Sequence, residues 1–179
     1  NRKSWTWSGW VKRSELGATQ TLFMAASDQQ NITRLRFESD DTLRFFHYAS
    51  NSLTGSLVTT RLFRDTSAWL HIVMAADSTQ STSSDRLKLY VNGLQELDFS
   101  STAYPNADTE FFVNSKNEHR ISSELVGNPF NGYMADINLI DGQQLSGSHF
   151  GYADSNGIWH PKSIKEDSRG WKTNRQGAN

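Results

Sequence analysis

Apolar and aromatic side chains recur at every second position along much of this 179-residue chain, interrupted by short runs of Ser, Asn, Asp and Gly. Period two is the repeat of a strand with one face buried, whereas an amphipathic helix needs 3.6. Residues 86–99 show it most clearly. Leu87, Leu89 and Val91 alternate with Arg86, Lys88 and Tyr90; Asn92-Gly93 follows, and a second alternating run leads to Phe99. Both residues of an Asn-Gly pair accept the positive φ of a type I′ turn. The segment is predicted as a hairpin, with Leu87, Leu89 and Val91 toward the core and Arg86, Lys88 and Tyr90 toward solvent or a ligand.

The same alternation predicts strands at 3–12, 21–26, 33–38, 42–48, 56–63, 69–76 and 132–140, each bounded by turn residues. In the first, Trp5, Trp7 and Val11 share a face; a bulge at Gly9 would turn Trp10 inward as well. These tryptophans and Trp69 are predicted core. The strand at 132–140 reads as central, with Tyr133, Ala135, Ile137 and Leu139 on one face, and 145–150 reads as a helical turn. Asn131-Gly132, Asp141-Gly142 and Asn156-Gly157 mark turns. Short strands at this spacing, with no solenoid repeat, predict an all-β fold, a two-sheet antiparallel β-sandwich with less than about a tenth helix. One domain is expected over 1–179, with 152–179 an extension that packs on it or leads to a further domain.

Composition removes several functions. Net charge is −1, from 18 basic and 19 acidic residues mixed along the chain, so no field would concentrate nucleic acid, and no nucleic-acid partner is expected. No apolar run approaches the roughly 20 residues needed to span a bilayer, and no membrane insertion is expected. The absence of cysteine excludes disulfides, thiolate zinc sites and cysteine nucleophiles. The chain starts at Asn1 without a methionine, which suggests a piece of a longer polypeptide or a processed chain.

Three stretches carry a resemblance: Ser4-Trp5-Thr6-Trp7-Ser8-Gly9-Trp10-Val11-Lys12, then Trp69-Leu70-His71-Ile72-Val73, then Leu89-Tyr90-Val91-Asn92-Gly93. In order and spacing they resemble laminin-G-like and pentraxin-like domains of the concanavalin A-like lectin/glucanase superfamily. The segment from Phe130-Asn131-Gly132-Tyr133 to Ile140-Asp141-Gly142, with Phe150-Gly151 and Gly157-Ile158-Trp159-His160-Pro161-Lys162, is similar to versions carried by virion and tail proteins of tailed phages. The resemblance implies a jelly roll that recognises a glycan or cell-surface receptor, on a virion or an extracellular surface. Neighbouring virion proteins and a second copy of the chain are implied partners. A purely architectural virion decoration is the alternative, and a glycanase a weaker one. The Trp and His of the W-x-H strand are mostly architectural in such domains, which gives Trp69 and His71 no catalytic role.

The superfamily's hydrolases carry Glu-x-Asp-x-x-Glu, and the nearest pattern here is Asp136-Ile137-Asn138-Leu139-Ile140-Asp141. Retaining hydrolysis needs two carboxyl groups, an acid and a nucleophile, about 5 Å apart. Both glutamates are shortened here, the middle residue is an amide, and Asp141 precedes a turn glycine. No catalytic residue is assigned. Asp136 and Asn138 are candidates to bond sugar hydroxyls, with a buried structural role for Asp136 equally open. Tyr104, Trp159, His160 and Trp171 lie outside the strand patterns and are candidate sugar-contact residues, though Trp159 could equally pack the C-terminal segment onto the sandwich. His47, His71, His119, His149 and His160 lack metal-site spacing, and neither a G-x-S-x-G elbow nor a phosphate loop is present. Calcium is an open reading: 28–31, 40–41, Asp77 with Asp85, and 106–108 are oxygen-rich, but Asp and Asn also form ordinary turns.

Overall fold

The computed structural model describes residues 1–162, 164–166 and 172–174. Strands β1 (Ser4–Arg13), β2 (Gln20–Asp28), β3 (Asn31–Phe37), β4 (Thr42–Ala49), β5 (Ser52–Leu62) and β6 (Leu70–Asp77) are followed by β7 (Leu87–Val91), β8 (Leu94–Gln95), β9 (Phe99–Ala103), β10 (Glu118–Ile121) and β11 (Gly132–Asp141). They form two antiparallel sheets. The five-stranded sheet has the order β11-β1-β6-β7-β8 and the six-stranded sheet β10-β2-β3-β4-β5-β9. Two ribbons follow, β12 (Gly151–Ala153) with β13 (Trp159–Pro161) and β14 (Ile164–Glu166) with β15 (Lys172–Asn174). Among the described residues, helix is confined to the 3₁₀ turns Ser83–Asp85 and Gly147–His149, the latter within the predicted 145–150 turn.

Alternation builds the core. Trp5, Trp7 and Val11 of β1, Leu70, Ile72 and Met74 of β6, and Leu87, Leu89 and Val91 of β7 pack with Phe23, Leu35, Phe37, Leu43, Phe45 and Leu57 of the six-stranded sheet. Trp5 meets Phe111 edge-on at 5.6 Å between ring centres, and Trp7 stacks on Phe23 at 6.2 Å. Truncating buried aromatics to alanine typically costs about 3–5 kcal/mol each.

The Asn92-Gly93 turn has φ values of 48° and 80°, both positive as a type I′ turn requires. Its second arm is shorter than the alternation predicts. β8 ends at Gln95, Leu94 and Leu97 are exposed, and the chain crosses to the other sheet, where Phe99 pairs with Thr59 and Thr60 N donates to Asp98 O. Pairing with β5 wins over a longer hairpin. Tyr90 does not face solvent either; it is buried with Val73, Ala75, Ile140 and Phe150 beneath the C-terminal segment.

Three further expectations are corrected. The bulge is not at Gly9: β1 keeps an unbroken register with β6, and the extra residue lies in β11, where Ser8 faces Asn138 but Trp10 faces Ala135. Asp136 takes a left-handed φ of 49° there. Gly9 serves close packing instead, since a Cβ would stand 2.6 Å from Ile137 Cδ1 and 2.8 Å from Trp7 Cη2. Trp10 consequently stays on the outer face, half-buried. Second, β11 is an edge strand rather than a central one, and its bulge reverses parity, so Tyr133 and Ala135 point out while Ile137 packs on the core and Leu139, on the same side, is 40% exposed at the edge. Third, Trp69 is 41% exposed, because Leu70 takes the inward position and its neighbours point away.

Candidate functional site

The outer face of the five-stranded sheet divides into a covered half and an open half. The covered half is sealed by the chain after β11. Thr6 Oγ1 donates to Gln143 O at 2.7 Å and accepts from Leu145 N at 2.9 Å, which sets Leu145 and Phe150 against Val73, Ala75, Tyr90 and Ile140. Trp159 then straps β13 down. Its ring stacks on His71 at 6.0 Å and its Nε1 donates to His71 Nδ1 at 3.1 Å. An indole N–H only donates, so Nδ1 is the acceptor and the proton sits on Nε2, which donates to Ser8 Oγ at 2.9 Å. Burial pushes the His71 imidazole down to about 4, so the ring is neutral at pH 7.

The open half carries aromatic rings that the core has not taken. Lys12 on β1 faces Tyr133 on β11, and continuing the β1–β6 register puts Trp69 on its other side. In the next row Ala135, Trp10 and His71 lie side by side, with Trp10 tilted against His71 at 5.1 Å. Tyr133 is 63% exposed and Trp69 41%. Aromatic groups clustered at a surface expose apolar area that a ligand can cover. Asn138 faces Ser8 at the same edge, and its Nδ2 donates to Asp136 O at 2.7 Å across the bulge. Trp10, Trp69 and Tyr133 escaped the sequence reading. Parity could have placed Trp10 and Trp69 opposite the core set, but it could not tell which part of the outer face stays uncovered.

The predicted contact residues do not converge. Asp136 and Asn138 border the aromatic row, whereas Trp159 is spent on the strap. His160 stacks on Tyr152 at 5.5 Å, and its Nε2 lies 3.0 Å from Asp154 Oδ2. Bonds from Ile158 N first, and from His160, hold the Asp154 carboxyl below its ordinary range. Tyr104 packs against the main core, and Trp171 lies outside the described residues. Two of the three hydrolase-like positions make structural bonds, Asn138 to the bulge carbonyl and Asp141 to Asn114 Nδ2 at 3.0 Å, while Asp136 is exposed.

Across the molecule, Arg34, Arg36 and Arg44 gather on the outer face of the six-stranded sheet around the Phe46 ring, each 4.7–5.0 Å from its centre. Glu124 and Glu38 pair with them, and the Glu124 pairs tie the loop at 122–128 down. At one rim an open cleft of about 520 Å³ is lined between Glu15 and Gln20, by Ser39 and by 128–131. Its one ionisable side chain, Glu15, accepts from Asn131 Nδ2 at 3.0 Å, too little for acid–base chemistry. The carboxylates of the oxygen-rich loops bond within the protein. Asp28 holds Gln30 N and Asn31 Nδ2, Asp40 holds Thr42, Asp77 holds Thr79 and Gln80, Asp85 pairs with Lys88, and Asp108 with Lys3. No three metal-ligating side chains converge among the described residues.

Residues 1–148 match the Laminin G 3 family, described as the concanavalin A-like lectin/glucanases superfamily. A search of curated protein sequences returns no match. Among solved structures, domain 4 of AbnA, an extracellular GH43 arabinanase from Geobacillus stearothermophilus in complex with arabinotriose, is 20% identical with a TM-score of 0.58, over 80% of this chain and 63% of that one. The Ruminococcus gnavus IT-sialidase CBM40 bound to α2,3-sialyllactose is 16% identical with a TM-score of 0.59, over 82% of this chain and 79% of that one. Mouse laminin α1 domains LG4-5 are 14% identical with a TM-score of 0.52, over 80% of this chain and 36% of theirs. At these identities the likeness is one of fold.

Proposed function

Because the chain belongs to the concanavalin A-like lectin/glucanase superfamily, we propose that it is a non-catalytic recognition module whose open outer face binds glycan. The observation that carries this is the exposure of Tyr133 and Trp69 beside Trp10 on three adjacent strand lines, with Lys12 and Asn138 among them. Aromatic faces cover the apolar face of a sugar ring, and a few polar groups at the border bond its hydroxyls. Such a shallow site binds weakly per copy and gains from display in several copies. Display on a virion, tail fibre or other extracellular surface belongs to the same proposal, supported by the resemblance of 130–142 and 157–162. We also propose that 1–162 acts as one unit, supported by the Trp159 strap. The solved carbohydrate-binding relatives support the reading at the level of fold.

A glycan-array screen tests it. Wild type should bind a set of glycans, and Trp69→Ala or Tyr133→Ala should each weaken them about ten-fold while leaving the melting temperature near wild type, since both side chains are exposed. Binding unaffected by either change would rule out this face. A protein–protein role on a virion is the second reading, favoured by Leu94 at 77% and Leu97 at 80% exposure beside β8. It predicts no bound glycan and self-association lost on Leu97→Glu.

A further inference from the structure

We infer that the glycan taken by the aromatic row is anionic, bearing a carboxylate or a sulfate that pairs with Lys12. This rests on the glycan-binding proposal and deepens it. Lys12 lies in the row between Tyr133 and Trp69 and is only partly exposed. Elsewhere in the described residues, a Lys or Arg that is buried or half-buried has a partner. Arg2 pairs with Glu110, Lys3 with Asp108, Arg13 with Asp41, Lys88 with Asp85 and Arg120 with Glu118. The arginines around Phe46 share Glu124 and Glu38; Arg86 donates to Gln80 O and Lys162 to Ser148 O. Lys12 alone in that group makes neither a hydrogen bond nor an ion pair with its side chain.

Neither adjacent carboxylate forms an ion pair with Lys12. Asp65 lies within electrostatic reach of Lys12, but its Oδ1 already accepts from Ser67 N at 2.8 Å and Ser67 Oγ at 2.6 Å. Asp41, against Arg13 on the inward side of the same strand, is taken by Arg13, Arg64 and Gly17 N. Lys12 is half-buried in the row of Tyr133 and Trp69, which fixes a positive charge beside exposed aromatic rings. A ligand anion seated on the rings makes a charge-assisted bond at that point. Because a lysine presents a point charge rather than a planar fork, the geometry selects charge over shape, and carboxylate and sulfate are equivalent to it.

The test is the full chain on an array that mixes uronate-bearing, sulfated and neutral saccharides, repeated at raised salt and with Lys12→Met. Acidic saccharides should bind about three- to ten-fold better than matched methyl-esterified or desulfated ones, the advantage shrinking with salt. Lys12→Met should bring the ratio of acidic to matched neutral binding down to about one, and Trp69→Ala should weaken both arms alike. The uronate and sulfate arms tell which group supplies the anion, and a preference for either supports the assignment. Neutral saccharides bound as well as acidic ones, or a preference that survives Lys12→Met, would overturn it while leaving glycan binding standing. An array with no bound glycan overturns both.

Discussion

His71 shows how a single buried residue organises a surface. It takes a hydrogen bond from Trp159 on one nitrogen, gives one to Ser8 from the other, and supports the Trp10 ring. The two hydrogen bonds together require the neutral Nε2–H tautomer. His47, buried in the other sheet beside Phe111 with Thr33 Oγ1 at 2.9 Å from its Nδ1, is also pushed by burial to about 4. Both rings therefore have folded-state pKa values below the ordinary 6.5. As pH falls below about 6.5, the unfolded chain takes up protons that the folded chain refuses, so stability present above that pH is lost progressively toward pH 4. The shift corresponds to about 3 kcal/mol per histidine. Urea unfolding at pH 7 and near pH 4.5 should show a clear fall in stability, reduced in His71→Gln; a flat profile would remove the buried neutral histidines from the account. None of this was legible in the sequence, where W-x-H marks a strand without saying what lies over its outward histidine.

At the scale of elements, Asn92-Gly93 was legible because its chemistry is local, and β11 was not because its bulge uses Asp136, a residue with no outward sign of a left-handed φ. Gly9 drew attention as the bulge, yet its missing side chain makes room for Ile137 and Trp7. A glycine in a sequence announces a constraint, not its kind. Gly93 carries two kinds together, a φ of 80° and a Trp159 ring that would stand 2.3 Å from any Cβ. Gly157 provides the control, with φ of 79° and nothing within 4 Å of a Cβ. Gly157→Ala should cost about 1 kcal/mol, the left-handed penalty alone. Gly93→Ala should cost about 2 kcal/mol more, since either the turn or the Trp159 strap must give way. Thermal unfolding of the pair measures the difference. Equal losses would mean that Trp159 swings aside freely, and the strap would then have little hold on the outer face.

For the molecule as a whole, each sheet has an inner face set by alternation and an outer face closed in part by chain that arrives later: 143–160 over the five-stranded sheet, and the loop at 122–128 over the six-stranded one. Alternation made the inner faces readable; the covers were not, because their contacts join residues about 90 to 140 positions apart. Arg34 and Glu124 are such a pair, linked by a close ion pair, with Glu124 also accepting from Thr21 Oγ1 at 2.7 Å and Arg36 at 3.2 Å. Glu124 is 3% exposed, so its charge and that of Arg34 are desolvated together. Removing one partner of a buried pair strands the other, and three guanidinium groups around Phe46 would then share Glu38 alone. Glu124→Ala should accordingly lose about 3–5 kcal/mol, whereas Arg34→Met with Glu124→Leu should lose less, because an apolar pair of similar volume leaves no charge of that pair stranded, although Thr21 Oγ1 and Arg36 lose an acceptor. Glu124→Gln, which keeps the Thr21 bond but not the charge, should lie between. Urea midpoints with unchanged slopes would rank the three variants. If Glu124→Ala unfolds where wild type does, the loop is held by Leu125 and its backbone bonds rather than by charge, and the arginine cluster loses its structural role.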